Sequence, residues 1–151
     1  MSEKTSWDVI VIGGGPAGST TARYLAEGGA DVLVVDGRDP IGTPLQCGEL
    51  VPTNEEMRRL CPNVPNIDDL LRTPEHAISR KTSEMHLVPP SGKPLRFQFE
   101  GYMLNRVAHD EALVDLAKSR GAEYLVDSRV DSIDGNTVKL RSGRELNAKV
   151  I

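Results

Sequence analysis

The sequence lacks the features of disulfide-rich, metal-binding, membrane-spanning and nucleic-acid-binding proteins. It has two cysteines, Cys47 and Cys61, whose spacing fits neither a disulfide framework nor a metal site, and we expect both to be reduced thiols. The three histidines, His76, His86 and His109, also lack metal-ligand spacing, and we expect them on the surface. Lys and Arg are scattered in a chain of net charge −4, which argues against nucleic acid as a partner.

Hydropathy argues against a membrane span and against export. No apolar run approaches the ~20 residues that cross a bilayer. The first seven residues are polar, unlike a signal peptide. With 38% hydrophobic and 26% charged residues, the composition is that of a globular domain, and we expect a cytoplasmic location.

The first 36 residues have the pattern of a strand–helix–strand unit. Apolar residues 7–12 and 31–35 predict two strands buried on both faces, and residues 16–27 predict the helix between them. Parallel strands joined in this way form a right-handed crossover. The predicted class is therefore α/β, with a Rossmann-like parallel sheet.

Further elements follow a Gly- and Pro-rich loop at residues 37–52. Thr53 and Glu56 form a capping box for a short helix, and residues 85–99 alternate as an antiparallel hairpin whose apolar side chains we expect in a core. Asn105 can cap a helix that ends near Arg120, and its predicted packing face contains Ala108, Ala112, Leu113, Leu116 and Ala117. Residues 124–126 are predicted to rejoin the parallel sheet, and residues 129–151 are predicted to form a three-stranded meander.

The chain ends inside an apolar strand, and we therefore expect a truncated chain with an exposed sheet edge at residues 145–151. The predicted domain organisation has residues 1–151 as the N-terminal part of a nucleotide-binding domain whose C-terminal remainder is absent. Residues from about 77 to 104 are predicted to be an antiparallel insertion directed towards a second, substrate-binding domain.

The most specific motif is Gly13-Gly14-Gly15-Pro16-Ala17-Gly18, which fits G-x-G-x-x-G. It follows a strand, opens a helix and lies 23 residues before Asp36 at the end of the next strand, as in dinucleotide-binding sites. In such sites the first glycine allows a tight turn, the second lets the backbone approach the pyrophosphate, and the third lets helix and strand pack closely. The helix N-terminus carries about half a positive charge towards the phosphates.

Asp36 is the expected acceptor for the adenosine ribose hydroxyls. Its charge would repel a 2′-phosphate, which favours FAD or NAD(H) over NADP(H). The alternative is a glycine turn without a ligand and an acid that only ends a strand.

Four segments resemble known flavoproteins. The stretch from Asp8 to Ala22, continued by Asp36-Gly37-Arg38, is similar to the start of enzymes related to para-hydroxybenzoate hydroxylase. Gly42-Thr-Pro-Leu-Gln-Cys-Gly-Glu49 resembles the Gly-x-Pro-x-x-Cys-Gly-Glu segment of geranylgeranyl reductases, including the archaeal digeranylgeranylglycerophospholipid reductases. Tyr102-Met-Leu-Asn-Arg106 resembles that family's Tyr-x-Leu-x-Arg. The segment from Gly121 to Val130 resembles the part of the family that meets adenine.

The resemblance implies FAD as cofactor and a set of contacts along the chain. The implied cofactor-binding residues are Gly13, Gly15, Pro16, Ala17, Gly18, Asp36, Gly37, Arg38, Gln46, Cys47, Gly48, Glu49, Leu50, Arg106 and Val130. Gln46 and Leu50 depart from the family, where Arg and Gly are common, and the ribose acid is often Glu.

Several of these residues also have plainer interpretations. Cys47, beside the flavin by resemblance, is the candidate catalytic residue, or else a thiol that packs the loop. Arg106 is the cofactor's cation or a surface residue of a helix's first turn, and Glu49 is a flavin-side group or a solvated loop acid.

The expected function is reduction of C=C bonds in geranylgeranyl or other isoprenoid lipid chains by an FAD-dependent oxidoreductase. The alternatives are an aromatic or polyprenyl hydroxylase on the same scaffold and a non-catalytic nucleotide-binding fragment. The resemblance implies an isoprenoid lipid partner, an electron donor that the sequence does not identify, and peripheral contact with a membrane. A fragment of this length is expected to be inactive alone.

Overall fold

The computed structural model describes residues 4–45 and 47–151, which form two compact units. The first unit combines residues 4–45 with residues 110–151, and the second contains residues 47–109. In chain order the elements are β1 (Ser6–Ile12), α1 (Pro16–Glu27), β2 (Val32–Val35), β3 (Leu50–Pro52), α2 (Asn54–Leu60), α3 (Ile67–Leu70), a 3₁₀ turn (Glu75–Ala77), β4 (Ile78–Leu87), β5 (Leu95–Leu104), α4 (Arg106–Ser119), β6 (Glu123–Leu125), β7 (Val130–Asp134), β8 (Thr137–Leu140) and β9 (Glu145–Val150).

The first unit is built on a six-stranded sheet of order β6-β2-β1-β9-β8-β7. Strand β1 pairs in parallel with β2 and β9, and β2 pairs in parallel with β6. Strands β7, β8 and β9 are antiparallel neighbours. The predicted α/β class, the return of the chain at β6 and the three-stranded meander are all confirmed.

The predicted exposed edge at residues 145–151 is wrong. Strand β9 lies between β1 and β8, with Ser6 opposite Asn147 and Val9 opposite Val150. The last strand therefore joins the meander to the parallel part of the sheet, a pairing across about 140 residues that no local pattern reveals.

Apolar side chains from the sheet and from α1 and α4 fill two clusters. All four residues of β2 are buried, as the continuous apolar run predicts. One cluster contains Trp7, Ile10, Leu33, Val35, Val138, Leu140, Leu146 and Ala148. The other contains Ala22, Val32, Val34, Ala117 and Ala122. Together they hold the carboxyl ends of β1 and β2 in fixed register, and the candidate site lies at those ends.

Helix α4 buries a face one position away from the predicted one. Leu113 and Ala117 are buried as expected, but His109 and Asp110 are also buried, at 8% and 3% exposure. The surface position predicted for His109 is therefore wrong, whereas His76 and His86 are exposed as predicted. Apolar spacing alone did not show that polar residues share the buried face.

The second unit contains a three-stranded antiparallel sheet of order β3-β5-β4. The predicted hairpin is confirmed in β4 and β5, and the Gly- and Pro-rich loop ends in β3, a strand that the sequence analysis missed. The capping box is confirmed, since the Thr53 hydroxyl accepts from the Glu56 N–H at 3.2 Å. Leu95 and Phe97 are 64% and 41% exposed, so their predicted place in a core is wrong.

Candidate nucleotide-binding site

The glycine motif forms a tight turn between β1 and α1. Gly13 adopts φ 99°, and its N–H donates to the Val35 carbonyl at 2.8 Å. A Cβ on Gly18 would lie 1.8 Å from the Gly13 carbonyl oxygen, so only glycine fits there. A Cβ on Gly15 would meet no atom within 4 Å, which leaves its backbone open to close approach by a ligand.

Helix α1 directs its N-terminus out of this turn. Gly15 is the N-cap without a side-chain cap, Pro16 opens the helix, and the first turn carries no acidic residue. The N–H groups of a first turn have no intrahelical partners, and the helix dipole is positive there. This end of α1 therefore suits an anionic group such as a pyrophosphate.

The carboxylate of Asp36 closes the turn from the end of β2. It is 5% exposed and accepts from the Gly14 N–H at 2.8 Å. Arg38 donates to it three times, through its backbone N–H at 2.9 Å and through Nε and Nη2 at 3.0 Å each. Burial opposes ionisation, but the hydrogen bonds from Arg38 and Gly14 outweigh it and lower the pKa of Asp36.

Arg38 occupies the positions that ribose hydroxyls would need. A carboxylate has about four acceptor positions, and these four hydrogen bonds use them. Binding of a ribose to Asp36 therefore requires the Arg38 guanidinium to move aside or share an oxygen. The side chain of Arg38 is 40% exposed and free on its outer side to make that change.

A cavity of about 420 Å³ lies beside this carboxylate. It is lined by Ile12, Gly13, Val35, Asp36, Gly37, Arg38, Pro44, Ser128, Arg129 and Val130. Five predicted cofactor residues thus meet in one place, although Val130 is distant from the others in sequence. The volume falls within the ~300–1,000 Å³ typical of ligand pockets. With the open Gly15 backbone and the buried acid, these residues fit the adenosine diphosphate half of FAD.

The remaining predicted residues of this unit, Gly15, Pro16, Ala17 and Gly18, lie at the start of α1 and do not line the cavity. Arg129 and Ser128 do line it, and the sequence analysis missed them because they follow an ordinary polar loop.

Sequence reasoning also missed two residues that hold the glycine turn. Ser19, fully buried, donates its hydroxyl to the Gly14 carbonyl at 2.7 Å. The Tyr124 hydroxyl donates in turn to the Ser19 oxygen at 2.9 Å, and burial raises the pKa of Tyr124. Strand β6 is thereby linked to the turn between β1 and α1, by a contact that spans 105 residues of sequence.

The other predicted residues belong to the second unit, where three of them meet at a thiol. Cys47 is exposed, and its sulfur accepts from the Glu49 N–H at 3.4 Å. That hydrogen bond, together with one from the Arg106 side chain, lowers the pKa of Cys47. Gly48 adjoins this cluster in sequence, Leu50 begins β3, and Gln46 lies outside the described residues.

Neither a metal cluster nor a membrane-spanning helix is found in the part of the chain that the structure describes. Residues 4–45 and 47–151 contain no group of three His, Cys, Asp or Glu placed to hold a metal ion. None of the helices in these ranges is long and apolar enough to cross a bilayer.

Comparison with known proteins gives the family. Residues 8–48 match the family model "FAD dependent oxidoreductase". An uncharacterized protein from the nifH2 5′ region of Methanosarcina barkeri is 34% identical, over 92% of this chain and 75% of that protein. The digeranylgeranylglycerophospholipid reductase of Picrophilus torridus is 33% identical, over 95% of this chain and 36% of the reductase.

The chain belongs to the FAD-dependent oxidoreductases related to geranylgeranyl reductase. The structure of a geranylgeranyl bacteriochlorophyll reductase-like protein from Thermoplasma acidophilum is similar to this one, with a TM-score of 0.77 and 29% identity over 98% of this chain. The halogenase PltM, at 22% identity and TM-score 0.66, shares the fold alone. FAD is the cofactor of this family, as the sequence analysis predicts. The chain spans 36% of the Picrophilus reductase and 39% of the Thermoplasma chain.

Proposed function

We propose that this chain supplies the adenosine diphosphate half of the FAD site in a reductase of isoprenoid C=C bonds. The observation that carries the nucleotide assignment is the buried Asp36 carboxylate, hydrogen-bonded to the Gly14 N–H at 2.8 Å at the mouth of the cavity. It links the glycine turn to the end of β2, so one acid orders the loop and faces the expected ribose. The start of α1 would hold the phosphates, and Val130 would contact the adenine.

The family and the thiol cluster of the second unit support the proposed reaction. When bound and reduced, FAD would supply the hydride for one carbon of the double bond. Cys47 gives the proton to the other carbon, since its thiol is exposed and sits in the segment that resembles the reductases. Arg106 and the Glu49 N–H stabilise the thiolate that remains, and solvent returns the proton.

The proposed substrate is the geranylgeranyl chain of a lipid. Support comes from the relatives named as digeranylgeranylglycerophospholipid reductases, which include proteins from Picrophilus and Thermoplasma. We propose a cytoplasmic enzyme that meets this substrate at a membrane surface, with an electron donor still to be identified.

The test is anaerobic turnover by the full-length protein. Chemically reduced holoenzyme is mixed with a geranylgeranyl lipid, and flavin reoxidation is followed while mass spectrometry measures the product. The proposal expects flavin oxidation together with a gain of two hydrogens per reduced bond. Oxygen consumption stimulated by an aromatic substrate, without saturation of the prenyl chain, would replace the reductase with a hydroxylase.

A further inference from the structure

The outer half of the β4–β5 hairpin presents an apolar patch to solvent. Leu87 lies opposite Leu95, and Met85 lies opposite Phe97. Leu87, Leu95 and Phe97 are 52%, 64% and 41% exposed, and Val88 at the turn is 67% exposed. Isolated exposed apolar residues are ordinary, but a contiguous cluster marks an interaction surface. We call these five residues the hairpin patch.

The opposite face of the same hairpin is polar, which makes it amphipathic. His86 lies opposite Arg96, and Glu84 lies opposite Gln98. His86 and Glu84 also form a hydrogen bond with each other. Because successive side chains of a strand alternate between faces, the apolar residues share one side and these polar residues the other. The hairpin patch therefore does not arise from a generally apolar segment.

The turn between the strands is ordered by its own backbone. The Gly92 N–H donates to the Pro89 carbonyl at 2.9 Å, and Gly92 adopts φ 76°. Pro90 and Pro94 restrict the chain on either side. A turn held in this way keeps Leu87 and Leu95 side by side before any partner binds, so little conformational entropy is lost on binding.

Charge decides which partner fits. The whole chain has a net charge of −4, yet the β4–β5 hairpin carries four cations, Arg80, Lys81, Lys93 and Arg96, against two acids, Glu84 and Glu100. Lys93 and Arg96 lie in the outer half of the hairpin and are exposed. Apolar side chains that enter a bilayer interface, flanked by cations at the headgroups, are the pattern of a peripheral contact with anionic lipid.

We propose that the hairpin patch, with Lys93 and Arg96, docks on the surface of an anionic lipid bilayer. Leu87, Val88, Leu95 and Phe97 enter the headgroup–acyl boundary, Lys93 contacts the headgroup phosphates from the turn, and Arg96 reaches them from the polar face of the hairpin. This surface goes beyond the proposed reaction, because lipid docking by the hairpin requires neither bound flavin nor the substrate double bond.

The test is co-sedimentation of the chain with vesicles of phosphatidylcholine alone and of phosphatidylcholine mixed with phosphatidylglycerol. We expect binding to the mixed vesicles and weaker binding to the neutral ones. The double variant Leu87→Ser/Leu95→Ser should bind at least ~10-fold more weakly, since it removes two apolar side chains from the interface. Leu60→Ser, which alters a 50%-exposed leucine of α2, is the matched control and should bind like the parent chain.

The cations are tested in the same way. Lys93→Gln and Arg96→Gln should each lower binding to the mixed vesicles about 5-fold, with little effect on neutral vesicles. Arg141→Gln is the matched control, because Arg141 is exposed and distant in sequence from the hairpin. Thermal melting of each variant shows whether it is folded, and FAD titration of the same samples reports separately on the nucleotide site.

Three results would overturn the proposal. The first is absence of sedimentation with either vesicle. The second is binding that the leucine and cation variants leave unchanged. The third is a lipid-free shift from dimer to monomer, by analytical ultracentrifugation, in Leu87→Ser/Leu95→Ser, which would assign the patch to a second copy of the chain.

Discussion

At the scale of single residues, Asp36 is the acid whose loss should most weaken FAD binding. A hydrogen bond to a charged group contributes about 1.5–3 kcal/mol, so Asp36→Ala should weaken FAD binding roughly 10- to 150-fold in the full-length protein. Isothermal titration measures the change. Unaltered affinity in this variant would remove Asp36 from the site.

Asp36→Ala also removes the carboxylate that accepts hydrogen bonds from Gly14 and Arg38. Loss of a contact to FAD must therefore be separated from loss of support for the turn. Asp36→Glu keeps the charge and supplies a longer acid. We expect Asp36→Glu to retain most of the FAD affinity. Equal losses in the two variants, with equal losses of thermal stability, would mean that Asp36 only supports the turn.

Ser19 and Tyr124 should act on the nucleotide site through the turn that they hold. Ser19→Ala leaves the buried Gly14 carbonyl without the hydroxyl, which should destabilise the protein by about 1–3 kcal/mol. Tyr124→Phe keeps the hydrogen bond from Ser19 to Gly14 and loses only the one from Tyr124 to Ser19. We therefore expect a loss of about 0.5–1.5 kcal/mol in the free energy of unfolding. Chemical denaturation gives both values, and a larger effect from Tyr124→Phe would contradict this order.

Cys47 should react as a thiolate at lower pH than an ordinary thiol. Its pKa is lowered from 9.0 by the Glu49 N–H and Arg106, so the thiolate persists as pH falls until the pH passes this lower value. In a Cys61→Ser background, the pH midpoint of iodoacetamide alkylation should lie below 9.0. Arg106→Gln should raise the midpoint, and an unchanged profile would separate Arg106 from the thiol.

At the scale of elements, Gly15 and Gly18 give a matched pair within one turn. Gly18→Ala places a Cβ 1.8 Å from the Gly13 carbonyl oxygen and should destabilise or unfold the first unit. Gly15→Ala has open space and φ −65°, so the fold should remain while the methyl group blocks close approach of the pyrophosphate. Thermal melting and FAD titration of both variants separate the two effects. Normal FAD binding by Gly15→Ala would place the phosphates elsewhere.

Locally encoded elements were predictable from the sequence. Helix α1 has its predicted bounds, because the glycine turn and Pro16 begin it and Gly28-Gly29 ends it. The Thr53 cap and the strand pattern of β2 also depend on neighbours in sequence. The central place of β9 and the Ser19–Tyr124 link depend on partners more than 100 residues away, and no short-range pattern encodes those partners.

At the scale of the whole molecule, half of the residues that line the candidate cavity were predictable from the sequence, and the exposed surfaces were not. Gly13, Asp36, Gly37, Arg38 and Val130 were predicted by motif or resemblance, and they line one cavity. The hydrogen bonds from the Arg38 guanidinium to the Asp36 carboxylate were not predictable, because a sequence motif does not specify side-chain geometry. The exposure of Leu95 and Phe97 escaped prediction for a related reason, since alternation shows that residues share a face but not what covers it.

The central claim is that this chain binds the adenosine diphosphate half of FAD, and a competition titration tests it most directly. FAD fluorescence is followed as the chain binds it, and ADP, FMN or adenosine 2′,5′-bisphosphate is then added. We predict that ADP displaces FAD from a single site. FMN, which lacks the adenosine, should not displace it, and the 2′-phosphate should be repelled by Asp36. Displacement by FMN, or failure of ADP to displace FAD, would contradict the account.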